Sequence, residues 1–96
     1  MPKPRARFSP EYELLLARLI EARKAAGVTQ SQIADALGKP QSHVSKCESQ
    51  EREISIIDLR FWCSVLGTTT SDFVRDWELA IEESKALNLK HEKAAA

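Results

Sequence analysis

Ninety-six residues, 43% apolar and 29% charged, fit one globular domain and exclude a disordered or fibrous chain. Fourteen Lys and Arg balance fourteen Asp and Glu. A globally basic nucleic-acid binder is thereby excluded, and any such role must rest on local charge placement.

Residues 1–8 open the chain with Lys3, Arg5 and Arg7 and no acid, which reads as a basic flexible arm. Such an arm either reaches along a nucleic-acid groove or serves only as a solvated tail. Residues 1–46 hold eight basic and four acidic side chains, and residues 47–96 hold six basic and ten acidic ones. A positive working surface therefore belongs to the first half of the chain.

From Ser9 on, every periodic stretch is helical and no strand alternation or hairpin dipeptide occurs, so the fold class is all-α. The first helix starts with Ser9 as N-cap and Pro10 at its first position, buries Leu15, Leu16, Leu19 and Ile20, and stops at Gly27. The second opens on a capping box of Thr29 and Gln32, buries Ile33, Ala34 and Leu37, and ends at Gly38. A third short helix begins at Pro40 or its neighbour and runs to about Glu48 or Ser49. The fourth is capped by Ser55, stapled by Ile54 and Leu59, and buries Leu59, Trp62, Cys63 and Leu66 before Gly67. The fifth starts within Thr68–Ser71, where no single cap stands out, and continues to about Leu89, with the last residues frayed. Its stripe of Phe73, Trp77, Ala80, Ile81, Ser84 and Leu87 divides into core (Phe73, Trp77) and, over residues 80–89, a dimer contact.

Two short helices around a Gly-containing turn have the proportions of a helix-turn-helix. At about 100° per residue, Gln41, Ser42, Ser45, Lys46 and Ser49 fall within an arc of about 140°, with Val44 and Cys47 opposite. That face holds amides, hydroxyls and one ammonium but no acid, so it can bond base edges or phosphates without repelling them. An ordinary solvated surface is the competing reading, although such a face normally mixes Glu with Lys.

The run Arg23 to Gly38, continued by Gln41 to Glu48, Arg52, Ile54-Ser55, Leu59 and Leu66-Gly67, resembles the XRE family of phage repressor and Cro-type domains. The resemblance covers roughly residues 14–77 and implies a five-helix lambda-repressor-like domain over 9–78, followed by a helical extension and frayed tail over 79–96. It implies base contacts from Gln41, Ser42 and Lys46, with Ser45 as a further candidate, and phosphate contacts from Gln30, His43, Ser49 and Arg52. Gln30 would also brace Gln41. Arg23 and Glu48 match a pair that in the family forms a largely buried ion pair between helix 1 and the end of helix 3. Two positions depart from the family: Cys47 replaces an aromatic residue or Leu, and Gln50 replaces a frequent Gly.

The resemblance implies duplex DNA as partner, and the small neutral footprint suggests a homodimer on an inverted repeat with half-sites about 34 Å apart. The expected role is transcriptional regulation, most simply repression. Two rivals are an antitoxin-type regulator whose acidic second half also holds a toxin, and an interaction module without DNA binding. Catalytic readings find no support: His43 and His91 lack a nucleophile or orienting carboxylate at suggestive spacing, and no Gly-rich phosphate loop is present. The two cysteines, Cys47 and Cys63, match no zinc or redox spacing and are expected to be buried thiols, so neither cofactor nor metal is expected. No apolar run approaches the length of a membrane span or a signal-peptide core, and a cytoplasmic location is expected.

Overall fold

The computed structural model describes residues 9–95, with side chains described for residues 9–85. The arm, with Lys3, Arg5 and Arg7, and the side chain of Leu87 lie outside the described residues. The described chain forms α1 (Pro10–Ala25), α2 (Gln30–Leu37), α3 (Gln41–Glu48), α4 (Ile56–Val65) and α5 (Thr70–Ala95).

Short-range bonds set the helix starts. Ser9 Oγ accepts from the Tyr12 amide at 3.2 Å, and Ser55 Oγ accepts from the Asp58 amide at 3.0 Å. At α2 the capping box is reciprocal: Thr29 Oγ1 accepts from the Gln32 amide at 3.1 Å, and Gln32 Oε1 accepts from the Thr29 amide at 2.8 Å. The ambiguous start of α5 resolves on Thr69, whose Oγ1 accepts from the Asp72 amide at 3.1 Å. α5 continues beyond the expected end near Leu89 to Ala95. The sequence from Lys90 on consists largely of good helix formers and contains neither Gly nor Pro, so nothing stops it.

Helix ends share one device. After α1, α2 and α4 the chain turns through Gly27, Gly38 and Gly67 in the left-handed region, and the following amide reaches back to a carbonyl in the last turn. After α3 the same turn is made by Gln50 at φ 66°, with the Glu51 amide donating to the Lys46 carbonyl at 3.0 Å. A side chain in that conformation costs about 1 kcal/mol relative to Gly. Gln50→Gly is therefore expected to stabilise the domain by about 1 kcal/mol and raise its Tm by about 4–8 °C. A thermal melt that fell instead would show that the Gln50 side chain contributes more than its backbone costs.

α2 packs on α3 and α4, and α1 and α4 pack on α5. One core joins Leu19 of α1, Ile33 and Ala34 of α2, Val44 and Cys47 of α3, Leu59, Trp62 and Cys63 of α4, and Phe73 of α5. Ile54 packs against this cluster, which includes Leu59. Trp77, expected in the core, lies outside this cluster: it is half-buried, and its indole N–H donates to the Glu11 carbonyl at 2.8 Å. Tyr12 provides a second long-range tie, its hydroxyl oxygen accepting from the Ile54 amide at 3.0 Å. Together these bonds hold α1 against α5 and against the loop before α4, giving the short α2–α3 unit a rigid base.

Candidate nucleic-acid interface

The periodicity of α3 separates its two faces. Val44 and Cys47 are fully buried, whereas Gln41, Ser42, Lys46 and Ser49 are exposed and Ser45 is half-buried. The amide, hydroxyl and ammonium groups thus project outward from a helix whose apolar side is anchored in the core. The first turns of α2 and α3 contain no acidic residue. α3 begins at Pro40 without a side-chain cap, leaving free amides at the helix tip that favour an anion.

A chain of side-chain bonds runs beneath this surface. Arg23 and Glu48 pair in bidentate fashion, Nε to Oε2 at 2.6 Å and Nη2 to Oε1 at 2.8 Å, with side chains 11% and 9% exposed. Arg23 Nη1 also donates to the Val28 carbonyl at 2.9 Å, joining the end of α1 to the turn before α2. Glu48 Oε1 accepts from Gln30 Nε2 at 3.0 Å, and Gln30 Oε1 accepts from Gln41 Nε2 at 2.6 Å. The network therefore braces both ends of α3, one through Glu48 and the other through Gln41. Each glutamine amide has a second hydrogen. Beyond these bonds Gln41 retains one N–H and its carbonyl oxygen, and Gln30 retains one N–H.

The remaining sequence candidates divide. Arg52 is exposed in the loop after α3. Ser49 is exposed, but its hydroxyl lies 3.1 Å from the Lys46 carbonyl and 3.0 Å from Glu51 Oε2, so its proton has local acceptors and an acid borders the face. His43, expected near the DNA backbone, is paired with Asp58. Its Nε2 lies 2.9 Å from Asp58 Oδ2, with side chains 9% and 15% exposed, because this residue sits on the flank of α3 that meets α4. Burial pushes the Cys47 thiol up to about 11, helped by the charge of Asp58, and burial likewise raises Cys63. Both thiols are protonated at neutral pH.

Sequence reasoning missed two features. The Gln30–Glu48 bond has no local signature, since the partners are 18 residues apart. The second is an apolar surface on α4, where Ile56, Ile57 and Phe61 are 66%, 60% and 46% exposed. Ile56 and Ile57 line a shallow groove of about 600 Å³ with Arg60, Ser64 and the chain from Gly67 to Ser71. The available signal was Ile56-Ile57 next to Phe61 outside the stripe formed by Leu59, Trp62 and Cys63.

Five helices, a braced two-helix unit and an outward polar recognition face define a helix-turn-helix DNA-binding protein. A helix-turn-helix family model matches residues 19–73. Solved structures similar to the chain include an XRE-family like protein from Pseudomonas syringae pv. tomato str. DC3000. It is 41% identical, with a TM-score of 0.68, and the match covers 73% of this chain and 85% of that one. Among curated proteins, no sequence matches. The chain belongs to the XRE family of helix-turn-helix regulators. Among the described residues, no helix is long and apolar enough to cross a membrane.

Proposed function

We propose that the protein is a cytoplasmic, sequence-specific transcriptional repressor that binds an inverted-repeat operator as a homodimer. The observation that carries this reading is the acid-free outward face of α3, held at both ends by the Arg23–Glu48–Gln30–Gln41 network. Gln41, Ser42, Ser45 and Lys46 read bases; Gln30 and Arg52, with the tips of α2 and α3, position the backbone; Ser49 lies at the margin. His43 is left out of this set because Asp58 holds it inward.

The dimer reading favours α4 over the C-terminal stripe expected from sequence. Ile81 and Ser84 line a groove with Pro10, Glu11 and Leu14, so part of that stripe is already turned to α1. Ile56 and Ile57, by contrast, are exposed at the start of the helix that follows the α3 loop, an apolar surface of the kind that a two-fold contact between copies would cover.

A salt titration on a palindromic duplex tests the function. Affinity is expected to fall steeply as salt rises, because each neutralised phosphate releases a counterion. Lys46→Ala is expected to relax preference at one base position at a cost of about 1–3 kcal/mol. Arg52→Ala is expected to weaken all duplexes alike and to reduce the salt slope by about one. An absence of duplex affinity at low salt, or two variants with the same profile, would overturn this division of roles.

A further inference from the structure

We propose that His43, Cys47 and Asp58 form a binding site for a thiophilic divalent cation, Zn2+ foremost, that joins the recognition helix α3 to α4. A ring nitrogen of His43, Cys47 Sγ and an Asp58 carboxylate oxygen all lie within 4.8 Å of one another. The spacing is systematic: His43 and Cys47 stand four apart on α3, which places both on one helical face, and Asp58 in the first turn of α4 faces them. Rules keyed to pairs of cysteines pass over this His-x3-Cys arrangement.

Chemistry supports the assignment. Imidazole, thiolate and carboxylate are the three zinc ligand types, and three protein ligands with water in the fourth position is an established zinc geometry. Ligand bonds of about 2.0–2.3 Å put tetrahedral neighbours roughly 3.3–3.8 Å apart. The 2.9 Å contact between His43 and Asp58 must open slightly and the thiol move in, adjustments on the scale of side-chain rotation. A neutral imidazole, a thiolate and a carboxylate carry two negative charges, so a divalent ion leaves a neutral buried unit. On binding, the thiol proton passes to solvent as the metal–sulfur bond forms. Cys47 is fully buried beside this pair, so its thiol is held close to the imidazole and the carboxylate. The site lies on the side of α3 away from Gln41, and its occupancy is read without any DNA.

The test uses the full chain without an affinity tag, reduced and stripped of metal, titrated with Co2+ and then Zn2+. One Co2+ per chain is expected, with a thiolate charge-transfer band in the near ultraviolet and tetrahedral d–d bands in the visible, both erased by Zn2+. Cys63→Ser and His91→Ala are expected to retain both bands. Cys47→Ser is expected to lose the charge-transfer band, and His43→Gln and Asp58→Asn to weaken binding by about tenfold or more. Should Cys47→Ser lose its helical circular dichroism, the His43 and Asp58 variants, made at partly exposed positions, decide the matter. Wild type without a charge-transfer band, a band that survives Cys47→Ser in a folded chain, or unchanged affinity in both other variants overturns the site.

Discussion

Glu48→Ala is expected to destabilise the domain by about 3 kcal/mol, measured by urea denaturation, because it leaves the Arg23 guanidinium buried with one backbone partner. The lower end of the range for broken buried pairs applies, since both side chains retain about a tenth of their exposure. The loss reaches further than the pair, for Glu48 also accepts from Gln30, which in turn accepts from Gln41. A double variant, Arg23→Met with Glu48→Met, separates the two effects. It removes both charges at similar volume and is expected to recover most of the stability, as matched apolar replacements of buried pairs often do. Duplex affinity should not recover with it, because Gln30 loses the acceptor that orients its amide. If stability and affinity returned together, the network would be a stability device without a positioning role.

Ile56→Glu with Ile57→Glu is expected to convert a dimer to a monomer in analytical ultracentrifugation and to lower affinity for a two-half-site duplex by about a hundredfold or more. Linked half-sites make the second recognition helix bind at high effective concentration, and separating the protomers removes that gain. Both side chains are at least 60% exposed in the single chain, so its folding stability should change by no more than about 0.5 kcal/mol. Tm and oligomeric state therefore respond independently. A variant that remains dimeric would return the contact to α5, where Leu79 is also 56% exposed.

The fold was legible from short-range rules. Ser9, Thr29 and Ser55 cap the helices expected of them, and Gly27, Gly38 and Gly67 make left-handed turns beyond the helix ends, because each device is satisfied within about one turn of chain. The inward and outward faces of α3 followed from periodicity, since Val44 and Cys47 share a side and the polar residues share the other. The Arg23–Glu48 pair was reached through family resemblance, as residues 25 apart carry no mutual local signature.

Tertiary packing alone decided the rest. His43 turns to Asp58, Gln30 to Glu48 and Trp77 to Glu11 across 15, 18 and 66 residues, respectively. Such partners meet only when helices cross at particular angles and depths, which depend on the volumes of all the core side chains together. Exposure of Ile56 and Ile57 is likewise a property of the assembled bundle: α4 has one side to bury, and Leu59, Trp62 and Cys63 occupy it. The sequence by itself thus determined the elements and the polar face of α3, through bonds closed within a turn. The bundle determined which long side chains brace that face and which apolar residues remain outside.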